Sequence, residues 1–136
     1  MSDSPRERVF VYGTLKRGFC NHDALLAGAE FLGAAMTVAR HGFYLGTDEH
    51  APEADEIPYL YRLAKTTNEA TLVHGEVWAV SPLTLRQLDR LEGHPNWYRR
   101  ESIRVQLHSE DSMEVQAYLR PGLPPDGCRP IESGRF

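Results

Sequence analysis

The chain has 136 residues, enough for one domain with one core and too few for two domains of ordinary size. Hydrophobic residues at 41% and charged residues at 25% form a globular balance, which excludes a wholly disordered chain. The net charge is −4 and the basic clusters are only the short pairs Lys16-Arg17 and Arg99-Arg100, so there is no electrostatic track for nucleic acid.

Residues 1 to 7 are polar, with no apolar stretch of signal-peptide type, and read as a disordered lead-in. Val9-Phe10-Val11-Tyr12 is a compact apolar run that stops at Gly13, the pattern of a buried strand ending in a turn. Asn21 to Ala27, opening on a capping Asn, reads as a short helix. Between Glu30 and Tyr44, small and β-branched residues punctuated by Gly33 and Gly42 predict strands. The acidic, apolar-poor stretch Thr47 to Glu56 reads as a solvated loop.

Ile57 to Leu63 and Thr71 to Val80 read as strands, the second with Val73, Val77 and Ala79 at period two. Ser81-Pro82 starts a helix, with Ser as N-cap and Pro in the first turn. It runs to Glu92 and stops at Gly93. Two alternating runs follow, Ile103-Val105-Leu107 and Met113-Val115-Ala117-Leu119. The polar Ser109-Glu110-Asp111 joins them into an antiparallel hairpin. The organisation expected is a lead-in over 1–7, a domain over 8–120 and a Pro/Gly-rich tail over 121–136 packed on the domain. Strands outnumber helices and mostly follow one another, which predicts an α+β class with a largely antiparallel sheet or barrel.

No apolar run approaches membrane-spanning length, so a soluble, cytoplasmic protein without membrane partners is expected. Two cysteines, Cys20 and Cys128, make no CxxC pair and no disulfide framework. His22, His41, His50, His74, His94 and His108 lack ligand spacing, and no metal site is expected. There is no Gly-x-Ser-x-Gly elbow and no His-Glu-x-x-His helix.

Two places carry chemistry. At about 100° per residue, Leu85, Leu88 and Leu91 form the apolar stripe of the helix, and Glu92 falls inside it. Asp89, Arg86 and Arg90 point elsewhere. A carboxylate on a core-facing side is costly unless it has partners or work. Burial and the negative end of the helix dipole both disfavour its ionisation, which moves it toward the pKa of a neutral-pH acid/base. A frayed, solvated Glu92 stays open as the alternative. The second place is Tyr12-Gly13-Thr14-Leu15, where a Gly lets a ligand approach the backbone and turn N–H groups can hold an anion. An ordinary strand-to-loop turn is the alternative.

Three blocks carry a resemblance. Val9-Phe10-Val11-Tyr12-Gly13-Thr14-Leu15-Lys16-Arg17-Gly18 with Asn21-His22 comes first. Gly75-Glu76-Val77-Trp78-Ala79-Val80 follows, and Leu88-Asp89-Arg90-Leu91-Glu92-Gly93-His94-Pro95-Asn96-Trp97-Tyr98-Arg99-Arg100 is the third. In this order they resemble the gamma-glutamylcyclotransferase-like family, above all its gamma-glutamylamine cyclotransferase branch. The likeness spans roughly Val9 to Leu119. It implies a small mixed, mostly antiparallel β-barrel with short flanking helices and an active-site cavity at the barrel. It also implies that Glu92 is the catalytic acid/base, that Tyr12, Gly13, Thr14 and Leu15 bind the gamma-glutamyl group, and that Tyr98 stands near the pocket. The implied reaction needs no cofactor. The α-amine of a small gamma-glutamyl amine or gamma-glutamyl amino acid attacks its own γ-carbonyl, giving 5-oxoproline and a free amine. Rival readings are a non-catalytic binding module of the same fold and a gamma-glutamyl hydrolase. The leaving amine and the oligomeric state are not set by the sequence.

Overall fold

The computed structural model describes residues 6–13, 26, 28–46, 57–108, 111–124 and 128–136. In chain order the elements are β1 (Glu7–Val11), β2 (Glu30–Thr37), β3 (Gly42–Gly46), β4 (Ile57–Tyr61), a 3-10 turn (Thr67–Glu69), β5 (His74–Val80), helix α1 (Pro82–Leu91), β6 (Arg99–Leu107), β7 (Ser112–Leu119) and the short β8 (Arg129–Pro130). The predicted helix at Asn21 to Ala27 and the loop from Thr47 to Glu56 lie outside the described residues, apart from Leu26.

Five strands close into a barrel in the order β1-β5-β2-β6-β7. All neighbours are antiparallel except β1 and β7, which run parallel and close the ring through Val9 and Gln116. The expected α+β class with a mixed, mostly antiparallel barrel is therefore present. The β6–β7 hairpin carries the longest ladder, from Arg99 opposite Leu119 to Gln106 opposite Ser112. A second sheet, β4-β3-β8, uses Gly42 to Gly46 as its central strand. The region from Glu30 to Tyr44 thus divides between the two sheets. The predicted strand at Thr71 begins only at His74, because Thr71 makes a lone bridge to His41.

The alternation of side chains feeds two cores rather than one core and solvent. Phe10, Val77, Val115, Ala117, Leu119, Phe43 and Leu60 belong to one cluster. Their neighbours on the opposite faces, Val9, Val11, Trp78, Val80, Tyr118, Tyr44, Tyr59 and Tyr61, form a second cluster with Leu85 and Leu88 of α1. A strand buried on both faces reads as a continuous apolar run, which is what β1 shows. Helix α1 is short and supplies only two buried leucines, yet these cover the side of the barrel from which Tyr118 projects.

The chain end is tied back to this frame. Strand β8 pairs with Tyr44 and Leu45, Ile131 N–H donates to Phe43 O at 2.8 Å, and His74 N–H donates to Gly134 O at 2.8 Å. Gly134 has φ +72, and a Cβ there would stand 1.9 Å from Leu72 O. Left-handed backbone costs an L-residue about 1–2 kcal/mol before any clash. Gly134→Ala is expected to lower stability by at least about 2 kcal/mol, read as a lower urea midpoint at unchanged slope. An unchanged midpoint would mean that docking of residues 131–136 adds nothing to the fold.

Candidate active site

The site begins with how α1 starts and stops. Ser81 Oγ accepts from Thr84 N–H at 3.1 Å and Pro82 occupies the first turn, so the helix opens where predicted. It ends at Leu91. Glu92 is the C-cap, its N–H donating to Leu88 O at 2.9 Å, and Gly93 turns out of the helix at φ +66. That conformation is a glycine's, and a side chain there would also press on Trp97. His94 N–H then donates to Asp89 O, and Tyr98 N–H reaches back to Glu92 O at 3.1 Å. The chain leaving Glu92 therefore folds back on it and delivers Trp97 and Tyr98 beside it.

The apolar stripe is shorter than the periodicity predicts. Leu85 and Leu88 are buried, but Leu91 is 45% exposed. The turn at Gly93 swings the last leucine to solvent while Glu92 stays half-buried. Burial pushes the Glu92 carboxyl up to about 7, from the usual 4.5. A carboxylic acid at this value is half ionised near neutral pH and can both take and give a proton.

Asp89 also departs from the sequence reading, which pointed it away from the core-facing side. It is half-buried and holds the helix to the barrel. Arg100 Nε donates to its Oδ1 at 2.9 Å and Nη2 to its Oδ2 at 3.3 Å, a two-toothed charge-assisted pair. Tyr118 OH donates to the same Oδ1 at 2.6 Å. Arg100 continues through Nη1 to Gln116 Oε1, and Gln116 Nε2 donates to Ser102 Oγ. Arg100 N–H donates to His94 Nδ1 at 2.9 Å, so that imidazole nitrogen is an acceptor and His94 serves the turn.

Two tyrosines predicted for the site stand around Glu92. Tyr12, at the end of β1, is buried and donates its OH to Tyr118 O at 2.5 Å. Burial raises its phenol well above the ordinary range. The nearby Tyr98 and Glu92 push the same way, and Arg120 opposes them. Tyr98 is likewise buried, donates to Pro58 O at 3.3 Å, and is raised by burial first and by Glu92 next. Both phenols are thus neutral, and each hydroxyl oxygen keeps lone pairs that can accept a hydrogen bond. Gly13 packs so tightly on β4 that a Cβ would meet Pro58 Cγ at 2.9 Å. Glu92, Tyr12, Gly13 and Tyr98 thus gather around the start of β4, while Thr14 and Leu15 lie outside the described residues.

Sequence reasoning missed Arg120. It follows β7, where its N–H donates to Leu60 O at 2.7 Å. Its guanidinium carbon lies 3.8 Å from the Trp97 ring centre, 4.8 Å from that of Tyr59 and 5.7 Å from that of Tyr98. No local pattern marks it, because it stands one residue beyond the alternating run. Tyr118 was missed for a related reason: alternation puts it on the outer face, which only the covering helix makes interior. Among the described residues no group of three or more His, Cys, Asp and Glu side chains is placed to hold a metal ion. None of the helices among them is long and apolar enough to cross a membrane.

Because the charged form of Glu92 is the one burial disfavours, the native state holds its proton more tightly than the unfolded chain. The native state is therefore favoured most below pH 4.5, and this contribution is lost as pH rises through about 7. Glu92→Gln, neutral throughout, is expected to raise stability at pH 8 by roughly 1–3 kcal/mol. The gain should shrink to nothing by pH 4.5 in thermal melts. A gain that grew toward acid would place the carboxyl among groups favouring its ionised form.

Comparison with known proteins matches the frame and the motifs around it. The model of the family described as gamma-glutamyl cyclotransferase, AIG2-like, matches residues 9–136. The gamma-glutamylaminecyclotransferase of Bos taurus is 33% identical over 123 residues, covering 87% of this chain and 68% of that protein. Gamma-glutamylaminecyclotransferase C of Danio rerio is 32% identical over 127 residues, covering 87% of this chain and 78% of that one. The crystal structure of an AIG2-like protein from Mus musculus superposes with a TM-score of 0.70 at 32% identity, over 89% of this chain and 81% of that one.

Proposed function

The chain belongs to the gamma-glutamyl cyclotransferase, AIG2-like family, and we propose on that premise that it converts a gamma-glutamyl amine or gamma-glutamyl amino acid to 5-oxoproline and a free amine. Glu92 serves as the acid/base. The feature that carries this reading is the half-buried Glu92 carboxyl, which burial pushes up to about 7, with the phenols of Tyr12 and Tyr98 near it. The amine branch of the family, which two of the relatives name, supports the substrate class.

The reaction supplies its own nucleophile. Glu92, ionised, takes a proton from the substrate's α-ammonium. The freed amine attacks the γ-carbonyl carbon, forming the ring C–N bond and placing the negative charge on the former carbonyl oxygen. As the bond to the leaving nitrogen breaks, Glu92 gives its proton to that nitrogen. The ring nitrogen, left by the attack with two hydrogens and a positive charge, gives one of its protons through the restored carboxylate to the departing amine, so that a neutral lactam and an ammonium leave and Glu92 is again ionised. An α-ammonium is a weak acid, so a base raised to about 7 takes its proton less uphill than an ordinary glutamate would. Closing a five-membered ring is intramolecular, and oriented intramolecular reactions gain about 7–11 kcal/mol over their two-molecule counterparts. What is left for the protein is to fold the substrate into the attacking shape and to carry two protons in turn from the α-nitrogen to the leaving nitrogen. Tyr12 and Tyr98, with hydroxyls spent on backbone carbonyls, form a fixed wall for that folding. Backbone N–H groups of the Tyr12-Gly13-Thr14-Leu15 turn receive the developing oxyanion or the α-carboxylate.

The test is product analysis by mass spectrometry on gamma-glutamyl amines, gamma-glutamyl dipeptides and the gamma-glutamyl-lysine isopeptide, with no metal or cofactor added. Wild-type protein is expected to release 5-oxoproline, and Glu92→Gln to lower kcat by at least about 100-fold. Free glutamate in place of 5-oxoproline would mean hydrolysis, and binding without turnover a sensing module. Full turnover by Glu92→Gln would remove Glu92 from the role.

The pH dependence is fixed by the same carboxyl. Because the productive free enzyme carries Glu92 ionised, kcat/KM is expected to rise along a limb with its midpoint near 7. A limb near pH 4.5 would show that the working base is an ordinary solvated carboxylate.

A further inference from the structure

Asp89 is the acidic side chain of α1 that the reaction leaves unused, and it stands three positions before Glu92. Residues so spaced are neighbours on a helix surface. The apolar grip of α1 ends ahead of Glu92, since Leu85 and Leu88 are buried and Leu91 is exposed. What carries the last turn into the barrel is the Asp89 carboxylate. It accepts from Arg100 Nε and Nη2 on β6 and from Tyr118 OH on β7. Tyr118 also acts at its other end, because its carbonyl accepts from Tyr12 OH. One residue of β7 thus registers the helix that bears the acid against the phenol that follows β1.

Glu92 needs such a hold. An ionisable side chain at a helix terminus reaches water unless the terminus is fixed, and a solvated carboxylate is the weaker base. Proton transfer also demands hydrogen-bond reach, and a misplacement of about 1 Å costs on the order of 100-fold in rate. The titratable groups around Glu92 are the buried phenols of Tyr12, of Tyr98 in the turn and of Tyr118 on β7, each of which feels its charge. From β4, Tyr59 packs against Tyr98. The charges that act on the same phenols are Asp89, Arg100 of β6 and Arg120 after β7, and the His94 imidazole of the turn accepts from Arg100 N–H.

We propose that Asp89 is a positioning residue of the reaction: anchored to Arg100 and Tyr118, it holds Glu92 near Tyr12 and Tyr98 and out of bulk water. The assignment rests on the cyclotransferase reading of the site. Asp89 enters no bond that forms or breaks, and its effect passes through where Glu92 sits.

The experiment follows the Glu92 carboxyl carbon by NMR through a pH titration of the full chain, beside steady-state turnover of a gamma-glutamyl amine. The signal is identified as the one missing from Glu92→Gln. Three variants cut the anchor: Tyr118→Phe, Arg100→Gln and Asp89→Asn. Wild-type Glu92 is expected to titrate near 7. Each variant should titrate lower by roughly one pH unit as burial is relieved. Each should also lose about 10–100-fold in kcat, with KM changed far less. The sign separates anchoring from direct charge. If Asp89 acted only through its own field, Asp89→Asn would lower the midpoint, Arg100→Gln would raise it by removing a cation, and Tyr118→Phe would leave it in place. That pattern overturns the assignment. So does an unmoved midpoint, or an unchanged kcat, in variants that merely melt earlier, which is the mark of a scaffold bond alone. Tyr118→Phe keeps the ring, both charges and the carbonyl that receives Tyr12, and it decides if the other two fail to fold. Lowered midpoints in a protein that forms no 5-oxoproline would uphold the anchoring of Glu92 while the reaction reading fell.

Discussion

The placement of the whole site depends on one carboxylate that does no chemistry in the mechanism above. Asp89 accepts from Arg100 twice and from Tyr118 once, and its own backbone carbonyl accepts from His94. Arg100 belongs to β6 and Tyr118 to β7, so the last turn of α1 is fixed to two adjacent barrel strands by charge-assisted bonds. A helix of ten residues with two buried leucines has little hydrophobic grip of its own. The ion pair and the phenol supply the registration that the leucines do not. Because Glu92 is three residues further on, fixing Asp89 fixes where the next turn of chain begins.

The cost of the arrangement is carried at Glu92. A carboxyl raised to about 7 is a destabilised anion at neutral pH, and the cap position adds the unfavourable end of the helix dipole. Evading that cost would take only a loose helix end that let Glu92 reach water. The bonds around Gly93, His94 and Tyr98 prevent it, since each closes the chain on the helix terminus. The cost at Glu92 is held by bonding elsewhere, in the turn that closes on the helix end.

The double use of strand faces explains why so much aromatic surface meets at this end of the barrel. Tyr12 belongs to the inner cluster, and Tyr59, Tyr98 and Tyr118 to the outer one. Tyr12 OH spans the two by reaching Tyr118 O. A site set where two cores meet gains a wall from each, and its polar groups are reached by neither core's apolar side chains alone. Arg120 fits the same logic, because a cation among ring faces is stabilised where a bare one would not be.

The sequence by itself determined the parts governed by local rules. Ser81-Pro82 and Gly93 bracket α1 because capping and left-handed backbone are decided within a few residues. Period-two alternation located the β6–β7 hairpin, and helical period put Glu92 on the side it occupies. Ordered motifs, read as a resemblance, pointed to the family that the chain belongs to. Only the tertiary structure decided which faces became interior. Alternation could not show that Tyr118 is covered by a helix, that Leu91 is turned outward or that Asp89 is the anchor. Nor could it bring Arg120 onto the ring of Trp97, 23 positions earlier in the chain. Local periodicity records the direction of a side chain relative to its own element, whereas its partners are set by barrel closure and by the packing of α1, which join segments far apart in sequence.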